Sequence, residues 1–316
     1  MNEIPVEREM PAGRRLQRKA LLMSELKRER RLFSRGRLAL GGGLTLAMAL
    51  ALGLATTVRW GQGPAPASAS AAEVLNRAAD AALRHAEPRG DQFIYEKFQE
   101  TTLREKSNGQ WGMEKYPVRE GWHSVDGYHT GLVRSSSGGE TLVCPYGHVD
   151  SGEGIGSCRR NTDETVAQRP EVGGSRYADK LLLPTDPGRL LRWVRQTNGR
   201  TLPDKHGYDA SSLVELLRST TPARQRATIF RTLAGLKGVT VQRQATDPAG
   251  RPGIGLSFDH AGRERIQLVV DRDSYVYLGS REVLLTDVLG LKAGTETAQY
   301  TMLATGITDR AGQLPR

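Results

Sequence analysis

The feature that most constrains this chain is the run from Leu38 to Val58, LALGGGLTLAMALALGLATTV, which contains no Asp, Glu, Lys, Arg, His, Asn or Gln. A helix rises about 1.5 Å per residue and the hydrocarbon core of a bilayer is about 30 Å thick, so roughly 20 apolar residues are needed to cross it. The run meets that length, and Arg37 and Arg59 bracket it. It predicts one transmembrane helix over 38–58, which divides the chain into a tail (1–37), the span, a linker (59–71) and a folded part (72–316).

Orientation follows from the flanks, because Lys and Arg are retained on the cytoplasmic side. Met1 to Arg37 holds eleven Lys or Arg against five Glu, whereas Arg59 to Leu83 holds only Arg59 and Arg77. The expected topology is a cytoplasmic N-terminus and an extracytoplasmic C-terminal domain at the cell membrane. A cleaved signal peptide is the competing reading, with Ala67-Ser68-Ala69 as a small-residue cleavage site. The length of the run and of the tail before it favours an anchor. No Cys stands just beyond the run, which excludes a lipoprotein anchor.

The formal net charge of +10 would by itself suggest nucleic acid as a partner. The tail supplies +6 of it. The excess is therefore mostly an inside-retention signal beside the lipid bilayer, and nucleic acid is not expected as a partner. Within the tail, Leu16, Ala20, Met23 and Leu26 recur at helical spacing among basic residues, as in a segment that lies against anionic headgroups.

Cys144 and Cys158 are the only cysteines. Both fall on the predicted outer side, where thiols tend to pair, so a disulfide between them is expected. It would close the Gly-rich loop YGHVDSGEGIGS, and a loop of about 15 residues gives roughly 3 kcal/mol in the chain-entropy model. Two cysteines without a CxxC spacing do not build a zinc site.

After the small-residue and Pro linker GQGPAPASASA, a helix is expected over Ala72 to Ala86 with Val74, Leu75, Ala78, Ala82 and Leu83 on one stripe. From Asp91 to Val143, short aromatic and β-branched runs broken by Gly, Asn and Ser read as antiparallel strands. A helix should begin at Thr185-Asp186-Pro187, with Asp186 as cap and Pro187 in the first turn. Further helices are expected over Asp209 to Arg218 and from Thr221-Pro222 to about Leu236. Period-two strands follow, with Val239 and Val241, then Ile254, Leu256 and Phe258, then Ile266, Leu268 and Val270 inward. Asp247 to Gly250 and Asp259 to Gly262 supply turns. Later strands are expected at Tyr275 to Leu278, Glu282 to Leu285 and Gln299 to Gly306. This order implies an α+β class, with a curved antiparallel sheet packed on helices.

No residue pattern identifies catalysis. His85, His123, His129, His148, His206 and His260 are scattered, and none stands in an HxxxH, HExxH or CxxC context. No GxSxG elbow occurs. Gly152-Glu153-Gly154-Ile155-Gly156 lacks the GK[ST] ending and the helix of a phosphate loop, and Asp150 and Glu153 beside it read as solvated acids. Trp111, Tyr116 and Trp122 alternate with charges, as half-buried strand residues do. No catalytic, cofactor-binding or metal-ligating residue is assigned.

PAGRRLQRKALLMSEL in the tail, AAEVLNRAADAA, DQFIYEK, LPTDPGRLLRWVR, FRTLAGLKGVTV, TDPAGRPGIGLSF, VVDRDSYVYLGSREV and ATGITDRAGQLP together resemble a family of actinobacterial single-pass membrane proteins with no assigned activity. The resemblance covers nearly the whole chain. Members stand near extracytoplasmic-function sigma factors, which implies envelope-linked regulation. By element order, the outer part is similar to the half-barrel of lipoprotein carriers and periplasmic sigma regulators. The expected function is a non-enzymatic, membrane-anchored envelope protein that senses a ligand or takes part in sigma-factor-linked regulation. Its expected partners are the bilayer, a sigma factor or another envelope protein, and a lipid ligand. The alternatives are a membrane-tethered lipid or lipoprotein carrier, and a hydrolase without a recognisable motif.

Overall fold

A computed structural model describes residues 69–315, apart from 108, 151–156, 162–167, 173, 175, 202–207, 219 and 261, and excluding the side chains of 69 and 198–201. The tail, the membrane-spanning run and most of the linker lie outside the described residues. Among the described residues, no helix is long and apolar enough to cross a membrane.

The chain enters through helix α1 (Ala69–Leu83). This helix begins inside the expected linker, because Ala69 to Ala72 are strong helix formers and Ala71 is buried in the core. It ends before Ala86, ahead of Pro88, which cannot continue a helix. Seven strands follow: β1 (Phe93–Glu105), β2 (Trp111–Lys115), β3 (Arg119–Ser124), β4 (Gly131–Ser135), β5 (Glu140–Val143), β6 (His148–Asp150) and β7 (Cys158–Arg160). Four helices come next, α2 (Tyr177–Leu181), α3 (Pro187–Thr201), α4 (Asp209–Arg218) and α5 (Ala223–Ala234). The last strands are β8 (Thr240–Thr246), β9 (Pro252–His260), β10 (Glu264–Asp271), β11 (Tyr277–Leu284) and β12 (Glu296–Thr308).

Ten strands make one antiparallel sheet in the order β5-β4-β3-β1-β12-β11-β10-β9-β8, with β2 pairing the far end of β1. The α+β expectation holds, and the sheet is open, with no closed barrel. Tyr275 to Leu278 and Glu282 to Leu285, expected as two strands, fall largely in the single strand β11, because Gly279 and Ser280 pair with Thr301 and Tyr300 and carry the ladder across. Asp186 caps α3, its carboxylate accepting from the Arg189 main chain at 2.8 Å.

The helices cover one face of the sheet. Every strand residue expected inward on β9 and β10 is buried there: Ile254, Leu256, Phe258, Ile266, Leu268 and Val270. They meet Leu75 and Ala78 of α1, Leu190 and Val194 of α3, Leu213 of α4, and Phe230 and Leu233 of α5. Each fully buried side chain of this size stabilises by about 1.5–3 kcal/mol.

A smaller core lies on the opposite face, where Phe93 and Tyr95 pack with Trp122 and Leu132. The final segment of the chain closes over it. Trp122 donates through Nε1 to the Gln313 carbonyl at 2.6 Å, and a Cβ on Gly306 would meet Pro315 at 2.5 Å, so the strand is bare where the segment crosses.

Candidate functional site

The residues singled out by sequence do not converge. Cys144 and Cys158 are bonded to each other, with their Cα atoms 5.5 Å apart, and the bridge ties the end of the β5 segment to the two-stranded β6–β7 ribbon. Residues 151–156 of the loop it closes, and with them the Gly152–Gly156 stretch and Glu153, lie outside the described residues; Asp150 is exposed on β6. Trp122 is wholly buried, Trp111 is exposed and Tyr116 is half-buried, so the three aromatics do not line one groove. His206 is outside the described residues. His129 pairs with Asp126 at 3.0 Å, and His260 packs edge-on against Tyr208 at 4.1 Å. No group of three or more His, Cys, Asp or Glu among the described residues could hold a metal.

What the fold does gather is a line of charges under the helices. Alternation along β1 puts Ile94, Glu96 and Phe98 on the helix face. Glu96 is 6% exposed. One of its carboxylate oxygens lies 2.9 Å from His123 Nε2 on the neighbouring strand β3. Lys180, on the short helix α2, is 4% exposed and donates to the Thr220 carbonyl at 2.9 Å. Burial pulls its ammonium down to about 8, although Glu96, Asp179 and Glu215 oppose that shift. Burial pushes the Glu96 carboxyl up, but the charges of His123 and Lys180 outweigh it and hold the group below the usual carboxylate range.

The line continues across β12 and β11. Phe98 stacks on Tyr300 at 5.5 Å, and burial raises the Tyr300 phenol well above its ordinary value. Beside it, Arg218 of α4 donates to Glu282 at 2.9 Å, to Glu215 at 3.1 Å and to Ser280 at 3.0 Å. Burial disfavours the Arg218 cation, yet Glu282 and Glu215 hold it firmly charged. Arg226 of α5 donates to the Thr221 carbonyl at 2.8 Å, and burial lowers its basicity.

The disulfide region anchors this line. Arg176 donates to the Cys144 carbonyl at 3.0 Å and lies 4.3 Å over the Tyr146 ring. The Tyr146 hydroxyl donates to Asp179, which also accepts from the Glu171 and Arg176 main chains at 3.0 Å. Asp179 and Lys180 are adjacent, so the bridge, the aromatic ring and α2 together set where the buried lysine stands.

Chemically, Arg218 is committed to Glu282 and Glu215 and Glu96 to His123, while Lys180 and Arg226 are held by main-chain carbonyls. Glu96, Lys180, Arg218 and Glu282 are all buried and paired or hydrogen-bonded under the helices, an arrangement that fixes how helices register on a sheet. Motif reading missed this line because its members come from six elements. The available signal was polarity at inward period-two positions, Glu96 among apolar neighbours in FIYEKF and Ser280 and Glu282 in YLGSREVL.

No protein-family model matches the chain, and no curated protein matches it. Among solved structures, it bears a distant likeness to the MucA/MucB complex of Pseudomonas aeruginosa, with a TM-score of 0.30 and 16% identity over 78% of this chain and 59% of that one. MucB in complex with MucA(peri) gives 0.26 and 14% over 75% and 55%. MucB alone gives 0.26 and 18% over 79% and 61%. The chain spans about three fifths of the length of these structures, and the likeness is too distant to place a residue or a role.

Proposed function

We propose that this is a non-enzymatic, membrane-anchored protein of the cell envelope, whose folded α+β part binds another envelope protein and whose basic N-terminal tail links that event to a sigma factor. The observation that carries the binding half is the filled interface. The helix face of the sheet is packed with side chains, and the acids and bases collected there are held either by one another or by main-chain carbonyls, which leaves the outer surface as the place for recognition. The inward link rests on the sequence: a sizeable folded part is joined through a single apolar run of spanning length to a tail of eleven basic residues.

A peptide of residues 1–37 should retain a sigma factor from the same cell, and deletion of the chain should alter transcription from that factor's promoters. No retained sigma factor together with unchanged transcription would sink the inward half. A lipid carrier would need an apolar cradle, and the packing of Leu256, Leu268 and Phe230 occupies that space. Absence of co-purifying lipid by mass spectrometry is the matching expectation.

A further inference from the structure

The face of the sheet turned away from the helices carries a hollow of about 480 Å³, lined by Gln242, Gln244, Thr246, Gln267, Arg272 and Arg281 together with Ala245 and Pro252. Its floor lies over β9, of which Pro252 lines it. Ile254 and Leu256 point to the core, so Gly253 and Gly255 face outward and present no side chain there. A Cβ on Gly255 would stand 3.0 Å from both Ala245 Cβ and Gln267 Nε2, and one on Gly253 would meet the Val270 carbonyl at 2.5 Å. Both glycines are buried, and at Gly255 the missing side chain lets Ala245 and Gln267, which line the hollow, lie close against β9.

The wall is made by an irregularity in β8. Gln242 pairs with Gly255 but Ala245 pairs with Gly253, so β8 carries one residue more than its partner between those points. This bulge brings Gln244 and Ala245 to the rim of the floor. β8 is also the last strand of the sheet, and no described strand pairs with its outer edge. Such an edge offers unused main-chain donors and acceptors to an extended segment.

The charge of the hollow has one sign. Arg272 and Arg281 line it, and no carboxylate does. Arg281 reaches from β11 across the sheet to the Thr246 carbonyl at 2.8 Å, and its Nη1 lies 3.5 Å from Glu296. Its Nε is screened from solvent and has no hydrogen-bond partner. A guanidinium donor without an acceptor is unfavourable, so a carboxylate drawing near Arg281 would be favoured. The three glutamines add amides, each of which can both donate and accept, the pairing that a peptide main chain requires. Gln267 donates to Gln242 at 3.2 Å, and Gln242 to the Gln244 carbonyl at 2.9 Å, so the amides are already oriented.

We propose that this hollow seats an extended peptide bearing an Asp or Glu side chain, its main chain running beside β8 and its carboxylate between Arg272 and Arg281. This deepens the partner-binding reading and rests on it for its biological meaning, but it is tested independently of the tail and of any sigma factor. Random dodecapeptides displayed on phage would be selected on the immobilised full chain, and the enriched peptides measured by fluorescence polarisation. Enriched peptides should share an acidic residue, and replacing it by Gln or Asn should weaken binding at least about tenfold, the scale of a charged hydrogen bond. Arg272→Gln should weaken the acidic peptide by a similar factor and leave the amide version unchanged. Arg281→Gln should do the same, but it also loses the Thr246 contact, so Arg272, which is exposed, is the deciding position. Selection without an acidic residue, or binding indifferent to Arg272→Gln, would overturn the proposal. So would tight, Arg272-dependent binding of a galacturonic acid trimer in the absence of any acidic peptide. All of these readouts hold whether or not the tail peptide captures a sigma factor.

Discussion

The helix-covered face of the sheet has two halves built on different physics. Under α1, α3 and α5, strands β9 and β10 meet the helices chiefly through Leu, Ile, Val and Phe, with the buried His260 and Glu264 at the β9–β10 turn. Under α2 and α4, strands β1, β3 and β11 meet them through Glu96, His123, Glu282 and Ser280 against Lys180 and Arg218. The first half is driven by area removed from water and tolerates sliding, since one apolar contact resembles the next. The second gains little net energy from burying charges but allows only the register in which each charge meets its partner. Stability and specificity are thus carried by separate parts of one interface.

The sharpest way to break this contrast is to remove one charge from the second half. Arg218→Ala leaves Glu282 and Glu215 facing each other without a cation, and should cost about 4 kcal/mol in urea unfolding. Replacing Arg218, Glu282 and Glu215 together with Met, Leu and Leu should recover most of that loss, which would separate pairing from packing. In the apolar half, Leu268→Ala empties a site with no exposed surface and should cost about 3 kcal/mol, with no change in pH dependence.

Lys180 gives a finer test. Its folded value of about 8 lies below the 10.5 of an ordinary lysine, so between those limits the unfolded chain binds more protons than the folded one. Stability should therefore rise with pH over this window. The gain from Lys180 should be about 2 kcal/mol between pH 8 and 10. Above pH 10 the trend reverses, because burial raises the Tyr277 phenol to about 12 and the folded state then holds the extra proton. Lys180→Met should flatten the rise between pH 8 and 10 in urea titrations; an unchanged slope would show that the rise does not come from Lys180. The smallest effect belongs to a helix end: Asp186→Ala should cost about 1 kcal/mol, a shift in Tm of a few degrees.

Much of the fold was legible. Helix α4 was read at its observed limits, α3 was found from Asp186 and Pro187, and the inward residues of β9 and β10 follow from period two. The start of α1 was misjudged because small residues suit both a linker and a helix, and burial of Ala71 decided between them. The segment after β12 was not read as a cover for Trp122, because ATGITDRAGQLP contains no hydrophobic period. The charged line was missed since Lys180 and the Thr220 carbonyl stand 40 residues apart, and Arg218 and Glu282 stand 64 apart.

The sequence by itself determined most of the longer helices and strands, which face of β9 and β10 turns inward, and that one run of spanning length separates a basic tail from the rest. Those properties are written in neighbouring residues, through periodicity, capping and local charge. Only the tertiary structure decided which charges meet beneath the helices, and that a bulge in β8, Gln267 of β10 and the arginines Arg272 and Arg281 make one hollow. These depend on strand order and register, which join residues far apart in the chain, and local chemistry does not specify them.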